Sequence, residues 1–228
     1  MFLDYGETLS VPSAKHYILT IAFLSFQQLF GTIVQAFESR YAISGNTLNF
    51  NMAVEDPEHK FTGSLEWYDV KNIADFLFEY PEIRTLRISG PGGHMQAARE
   101  ISDKVLEFQL NTVASGLCAS ACARIFLAGK NRTLEANASL GFHRSWIDAE
   151  SEKTYYERMR ATKGWKDEFE YLAWTYDTLV KNVAIDIRYM QSRGVTMEFI
   201  LKRLETESYE MWKPTRQELL THGVISQK

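Results

Sequence analysis

The middle of the chain alternates short apolar runs with amphipathic stretches, which predicts strands that alternate with helices. Strand segments show apolar runs or an apolar-polar alternation, and helical segments repeat apolar residues every three or four positions. The predicted elements are strands at 48–54, 85–89 and 112–115 and helices at 64–80, 95–110 and 119–128. Gly45-Asn46 predicts a turn before the first strand. This succession favours a parallel sheet with crossover helices.

The last third of the chain is more polar and predicts further helices. A long helix is expected over residues 169–192 and another over 196–204, with Thr196 as its N-cap. A short final helix is expected over residues 214–220. No linker divides residues 40–228, and residues 38–228 are expected to form one domain.

The N-terminal part carries a strongly apolar run at residues 17–37, which is long enough to span a bilayer. Val34-Gln35-Ala36 offers a small-residue cleavage signal. We therefore predict that residues 1–37 are a signal peptide or a membrane-anchor helix. The alternative is an amphipathic helix that packs on the domain or on a sister subunit, since three glutamines interrupt the run, and Asp4 and Glu7 make the start of the leader acidic.

Composition narrows the function classes only a little. The chain has 228 residues, of which 45% are hydrophobic and 24% charged, as in an ordinary globular protein. The net charge of −4 gives no reason to expect a nucleic-acid partner. Cys118 and Cys122 are the two cysteines, too few for a disulfide framework and without the further ligands that a zinc site needs.

A glycine-rich turn, Gly90-Pro-Gly-Gly93, follows the predicted strand at 85–89. Adjacent glycines allow positive φ angles and let the backbone approach a ligand closely. A free N–H there could stabilise a developing oxyanion. The same motif also forms plain tight turns.

Two further residues have the chemistry of a nucleophile and a base. Ser120 lies where the strand at 112–115 gives way to a helix, so that the N–H of Ala121 could complete an oxyanion hole. The alternative is that Ser120 only caps that helix. His143 follows a predicted strand that could return it beside Ser120, and His94 is a competing candidate.

Cys118 and Cys122 flank Ser120. We slightly favour the interpretation that both are small buried core residues. The alternative is a local disulfide in an exported protein, although a bond between residues this close at a helix start is geometrically demanding.

The order of these motifs resembles the proteolytic subunit of the Clp protease. Pro-Gly-Gly is followed by Gly-x-x-Ala-Ser-Ala-x-Ala, by a helix that ends Leu-Ala-Gly, by a basic turn and by a strand that ends in His143. The chain is similar more broadly to the ClpP/crotonase superfamily. Its Cys-Ala-Ser-Ala-Cys version resembles most an exported, periplasmic and poorly characterised bacterial branch. The resemblance covers residues 40–145 well and residues 212–225 weakly.

The resemblance implies an α/β, ClpP/crotonase-like fold of repeated ββα units with a largely parallel sheet. To this fold the chain would add an N-terminal hydrophobic helix and a helical C-terminal region. Residues 38–228 would form the hydrolase domain, with a helical insertion at 148–204 where the Clp subunit has the handle that joins its rings. Self-association through helices is still expected, without the family's double ring.

The family's active site maps onto named residues here. Ser120 would be the nucleophile, His143 the base, and the N–H groups of Gly93 (or Gly92) and Ala121 the oxyanion hole. The family's catalytic aspartate falls on Met211 in an ungapped comparison, and one inserted residue moves it to Glu210. Glu210 is therefore the predicted third member of the triad, followed by Glu207 and Asp148, since a glutamate can also orient a histidine.

These features together predict an ATP-independent serine hydrolase that cleaves peptides or proteins, without metal or cofactor. The expected setting is the periplasm or an exported, membrane-anchored state through residues 17–37, with a cytoplasmic location as the alternative. The expected assembly is a homo-oligomer. Two other functions remain open: a crotonase-like acyl-CoA enzyme, which shares the oxyanion hole, and a catalytically dead binding or scaffold protein on the same fold.

Overall fold

The framework of the protein is a six-stranded sheet that is parallel apart from its first hairpin. A computed structural model describes residues 39–55 and 63–226. The run at 17–37, predicted to be an export signal or anchor, lies outside the described residues. The strands are β1 (Tyr41–Ser44), β2 (Thr47–Asn51), β3 (Thr85–Gly90), β4 (Asn111–Ala119), β5 (Arg132–Leu134) and β6 (Ser139–Gly141).

The strands lie in the order β1-β2-β3-β4-β5, and β6 also pairs with β4. β1 and β2 form an antiparallel hairpin around Gly45, which has a φ of 57° and confirms the predicted turn. β4 is long enough to pair with two partners in succession: residues 112–114 pair with β5 and residues 117–119 with β6. The fold is therefore the mixed α/β arrangement with a largely parallel sheet that the sequence predicts.

Helices cross between the strands and then dominate the C-terminal part. They are α1 (Trp67–Glu79), α2 (Met95–Glu107), α3 (Ala121–Leu127), α4 (Ala149–Lys163), α5 (Glu168–Ser192), α6 (Met197–Glu205) and α7 (Arg216–Thr221). Thr196 caps α6 by accepting a hydrogen bond from the N–H of Phe199, as predicted. Within the described part of the chain, no helix has both the length and the apolar character required to cross a membrane.

The start of α3 differs from its predicted position. The sequence predicts a helix from Ala119, whereas α3 begins at Ala121. The reason is that Cys118 and Ala119 still belong to β4, where they pair with Leu140 and Gly141 of β6. The strand that was predicted to end at residue 115 thus continues to the residue before Ser120.

The core lies between the sheet and the helices that cover it. Its fully buried side chains include Phe50 and Ile88 from strands and Ile101, Phe126 and Phe199 from helices. Burial of such side chains supplies most of the drive to fold. β3, β4 and β6 run parallel, so the segments that follow their carboxyl ends meet at one edge of the sheet. That edge holds the glycine turn, Ser120 and His143.

Candidate active site

Ser120 occupies a sharp turn between β4 and α3. Its backbone has φ 54° and ψ −117°, a conformation that residues other than glycine seldom adopt. Its N–H donates to the carbonyl of Gly141 on β6 at 2.8 Å. The side chain makes no capping hydrogen bond, so Ser120 is not a simple helix cap. A strained strand-to-helix turn that leaves the hydroxyl unused is the geometry of a nucleophile elbow.

The glycine turn packs directly against the Ser120 turn. Gly92 has a φ of 97°, and a Cβ at this position would lie 2.7 Å from the carbonyl oxygen of Ala119 and 2.8 Å from the nitrogen of Ala121. A Cβ on Gly93, at φ 144°, would lie 2.6 Å from backbone atoms of Leu65. Only glycine fits such contacts. The two glycines therefore let the turn after β3 touch the turn after β4.

Two backbone N–H groups flank Ser120 without a partner. The N–H of Leu65 donates to the carbonyl of Gly92 at 2.7 Å, and the N–H of His94 donates to the carbonyl of Leu65 at 2.9 Å. The N–H of Gly93, which lies between these two bonds in the chain, therefore points away from Leu65. In the described part of the chain, neither Gly93 nor Ala121 donates this N–H to any acceptor. Gly93 also borders the same cavity as Ser120, whereas Gly92 is buried. The geometry thus favours Gly93 over Gly92 as the second donor beside Ala121.

His143 lies in the same cavity as Ser120. The cavity has a volume of about 100 Å³, and Gly93, Ser120, His143 and Arg203 border it. Burial is the main cause that lowers the pKa of His143 below its ordinary value; the positive charge of Arg203 lowers it further, and the backbone of Arg144 acts in the opposite direction. The imidazole is therefore neutral at neutral pH, as a general base must be.

No carboxylate of the described residues faces His143 at the position that the resemblance predicts for an acid. Phe142 and Trp212 exchange backbone hydrogen bonds at 2.8 and 2.9 Å as an antiparallel bridge. In this register Met211 lies opposite His143, at the position where the resemblance places the aspartate. The Nδ1 atom of His143 is buried and has no hydrogen-bond partner in the described part of the chain.

None of the predicted carboxylates reaches that nitrogen. Glu210 is exposed, and its N–H donates to the carbonyl of Glu207 at 3.1 Å. Glu207 pairs with Arg144. Asp148 caps α4 by accepting from the N–H of Ser151 at 2.8 Å. The structure thus places Gly93, Ser120 and His143 around one cavity and leaves Glu210, Glu207 and Asp148 without a hydrogen bond to that nitrogen.

The competing histidine has a structural role. His94 caps α2, where its Nδ1 accepts from the N–H of Ala97 at 3.4 Å. The indole N–H of Trp67 donates to its Nε2 at 2.9 Å. His94 does not border the cavity that holds Ser120. Both ring nitrogens are engaged, so His143 remains the candidate base.

Cys118 and Cys122 are joined by a disulfide, with their Cα atoms 5.2 Å apart. This corrects the preferred expectation of two unbonded core residues, although both are fully buried. The bond is feasible because the sharp turn at Ser120 brings the end of β4 close to the first turn of α3. It therefore ties together the two elements that hold Ser120.

Loss of this disulfide should lower the free energy of unfolding by about 2 kcal/mol, since the chain-entropy model assigns roughly that value to so small a loop. The measurement is urea denaturation of the wild type with and without reductant. A double variant, Cys118→Ala with Cys122→Ala, is the control and should not respond to reductant. Two titratable thiols in the oxidised, unfolded wild type would contradict the bond.

Sequence reasoning missed one residue of this site. Arg203, on α6, borders the same cavity as Ser120 and His143. Its side chain is only 11% exposed, which is unusual for arginine. In the sequence it is one of two adjacent basic residues on its helix, with Lys202, and nothing in the local pattern separates it from a solvated charge.

Comparisons with known proteins identify a similar fold but no family to which the chain can be assigned. No protein-family model matches the chain, and no curated protein does. Among solved structures, ClpP1 from Listeria monocytogenes is 18% identical, with a TM-score of 0.50, over 71% of this chain and 84% of that chain. A point mutant of the same protein is 20% identical, with a TM-score of 0.47 over the same shares. A protein assigned as an enoyl-CoA hydratase from Streptomyces coelicolor is 15% identical, with a TM-score of 0.47, over 82% of this chain and 65% of that chain.

The likeness to ClpP1 shows the ClpP-like fold that the sequence predicts. At this level of identity it shows the fold alone, so what the cavity does chemically has to be argued from its own residues.

Proposed function

We propose that this chain is an ATP-independent serine hydrolase that cleaves peptides, with Ser120 as nucleophile and His143 as base. The observation that carries the proposal is the strained turn at Ser120. With respect to the described residues, its hydroxyl makes no hydrogen bond and the N–H groups of Gly93 and Ala121 beside it are unpaired, and a neutral imidazole borders the same cavity. This set supplies a nucleophile, a base and an oxyanion hole.

The proposed reaction follows from the placement of these groups. Ser120 gives its hydroxyl proton to the cavity-facing nitrogen of His143 while Oγ bonds to the substrate carbonyl carbon. The carbonyl oxygen becomes an oxyanion, and the N–H groups of Gly93 and Ala121 stabilise it. Collapse breaks the amide bond, and His143 returns the proton to the leaving amine. Water, deprotonated by His143, then hydrolyses the acyl-enzyme in the same way.

The unpartnered Nδ1 of His143 makes the proposed site a Ser-His dyad. A carboxylate on that nitrogen normally orients the ring and stabilises the imidazolium that forms during catalysis. Its absence is expected to slow the reaction and not to change its type. It is also the observation that favours a catalytically inactive scaffold as the competing function.

The pH dependence of Ser120 reactivity should report this lowered histidine pKa. The neutral imidazole is the active base, so the rate of fluorophosphonate labelling should rise with pH through a midpoint below 6.5, the ordinary value. Met211→Asp should move that midpoint upward, because a carboxylate opposite His143 favours the charged ring. Met211→Asn is the control without charge. An unchanged midpoint in Met211→Asp would contradict the assigned register or the role of His143.

The experiment that tests the proposed function is labelling of the full chain with a fluorophosphonate, followed by mass-spectrometric mapping of the modified residue. Modification of Ser120 supports the hydrolase. The acyl-CoA alternative requires the oxyanion hole but no reactive serine, so absence of labelling together with hydration of crotonyl-CoA would replace the proposal. Absence of both activities in a folded protein would favour the scaffold.

We propose an exported location on a separate ground. A disulfide persists in oxidising compartments and is rare in the cytosol. The bond between Cys118 and Cys122 therefore supports the periplasmic or membrane-anchored state over a cytoplasmic one. Attachment through residues 17–37 stays a prediction, because these residues lie outside the described part of the chain.

We also propose that the protein is a homo-oligomer. α5 has large apolar side chains on its surface: Phe169 is 78% exposed, Leu172 62% and Tyr176 70%. With Val180 and Val183 they recur at spacings of three and four residues, which places them along one helix face. Such a stripe suits packing against a second copy of the same helix.

A further inference from the structure

Behind Ser120, three arginines from three helices converge on one carboxylate. Asp186 of α5 accepts from Arg124 of α3 at 2.8 Å and from Arg99 of α2 at 3.1 Å, both through Oδ1. Arg203 of α6 approaches its other oxygen, Oδ2, to only 3.7 Å. Asp186 thus faces three guanidinium groups and carries one negative charge.

This cluster has an uncompensated positive charge in a buried place. The side chains of Arg99, Arg124 and Arg203 are 15%, 11% and 11% exposed, and that of Asp186 is 7% exposed. Burial lowers the pKa of Arg124 and of Arg203, and the charge of Asp186 opposes this. Asp103 also lies near Arg124, but it is exposed to solvent. A buried excess of cations is costly unless a further anion arrives.

Arg203 has the weakest partners of the three. Arg124 lies over the ring of Tyr189 at 3.9 Å in addition to its bond with Asp186. Arg203 has the long ion pair with Asp186 and a 4.0 Å contact with the sulfur of Met190. A guanidinium group offers five N–H donors. Among the described residues, several donors of Arg203 therefore have no partner and are available to a ligand.

The position of Arg203 connects this charge to the candidate site. It borders the cavity of about 100 Å³ with Ser120 and His143. It also borders a smaller cavity of about 20 Å³ with Arg124 and Asp186. A small group that enters the cavity beside Ser120 would therefore lie close to the Arg203 side chain.

We infer that this cavity binds a carboxylate of the substrate, held by Arg203, next to the bond that Ser120 attacks. The inference rests on the proposed hydrolase function and narrows its substrate class to peptides with an acidic group at the cleavage point. The carboxylate is either an aspartate or glutamate side chain or the C-terminal carboxylate of the peptide. Arginine suits this role because its planar fork binds carboxylates through two parallel hydrogen bonds.

The first test compares matched probes on the full chain. Peptidyl diphenyl phosphonates with a glutamate or a glutamine side chain measure the preference for an acidic side chain. Short peptides with a free or an amidated C-terminus measure the preference for a terminal carboxylate. We expect at least one acidic form to react about tenfold faster or more than its neutral partner, as a charged hydrogen bond allows. Equal rates for both pairs would overturn the inference.

Variants assign the preference to Arg203. Arg203→Met fills similar space without charge and should reduce the acidic-to-neutral rate ratio to about one. Arg203→Lys keeps the positive charge but lacks the planar guanidinium group, so it should retain part of the acidic-to-neutral rate ratio. Arg87→Met removes an arginine that pairs with Glu135 away from the cavity, and it should keep the full ratio. Retention of the full ratio in Arg203→Met would overturn the assignment.

A binding measurement separates this inference from the proposed function. N-acetylglutamate should raise the melting temperature of the wild type more than the uncharged α-amide of N-acetylglutamine, which has no carboxylate, and Arg203→Met should abolish the difference. If the carboxylate ligand binds but Ser120 does not react, the proposed anion site stands and the proposed hydrolase function is rejected. Labelling of Ser120 by a neutral fluorophosphonate, with no carboxylate preference and no binding, would retain the hydrolase and reject the anion site.

Discussion

Replacement of Ser120 by alanine should abolish fluorophosphonate labelling and peptide hydrolysis. The variant lacks the atom that forms the covalent bond, so we expect a loss on the order of 10⁶-fold, the magnitude found when a catalytic serine is removed. The fold should persist, because Ser120 makes no side-chain hydrogen bond with a described residue and is only half-buried. Intact protein mass spectrometry after labelling measures the effect directly.

Ser145 supplies the matched control for this variant. It is a second serine that borders the same cavity, and it lies on the exposed segment that follows His143. Ser145→Ala should still be labelled at Ser120. If Ser120→Ala is labelled and Ser145→Ala is not, the nucleophile has been assigned to the wrong residue.

Gly92→Ala should cause the second largest loss. The new Cβ would lie 2.7 Å from the carbonyl oxygen of Ala119 and 2.8 Å from the nitrogen of Ala121, both of which are backbone atoms next to Ser120. Either the glycine turn or the serine turn has to move, and displacement of an oxyanion donor typically costs about 100-fold to 1000-fold in rate. We therefore expect the rate constant for labelling to fall by about 100-fold or more, with the circular dichroism spectrum retained.

Gly45→Ala is the control for the backbone strain in Gly92→Ala. Gly45 also has a positive φ, 57°, but nothing lies within 4 Å of a Cβ at that position in the β1–β2 turn. The Gly45→Ala variant should have a conformational strain energy similar to that of Gly92→Ala, on the order of 1 kcal/mol, without a slower labelling reaction. A rate for Gly92→Ala within tenfold of the wild type would contradict the close packing of the two turns as a requirement for activity.

The order of strands and helices was predictable from the sequence because hydrophobic periodicity is a local property. Most predicted elements appear within a few residues of their expected bounds, since apolar spacing and caps such as Thr196 act over one or two turns. The start of α3 was predicted wrongly because Cys118 and Ala119 pair with β6, a strand that lies some twenty residues further along the chain. Propensity for helix was overridden there by a tertiary partner.

The Ser-Gly-His part of the site was predictable for a related reason. Parallel strands end at a common edge, so residues placed after β3, β4 and β6 converge wherever the sheet forms. The disulfide required the turn angle at Ser120, which brings the two cysteines to 5.2 Å between Cα atoms. No local pattern specifies that angle for a serine.

The sequence by itself determined the succession of elements, because apolar periodicity and caps are short-range patterns. The resemblance of its motif order to ClpP-like proteins implied the rest: the ClpP-like sheet and the three segments that meet at its edge. Only the tertiary structure decided what faces His143 and what lies behind Ser120. Met211 opposes His143 through the bridge between Phe142 and Trp212, which joins distant segments. The charge cluster joins Arg99, Arg124, Asp186 and Arg203 from four helices. How the helices pack in space determines such neighbours, and the periodicity along the chain does not predict them.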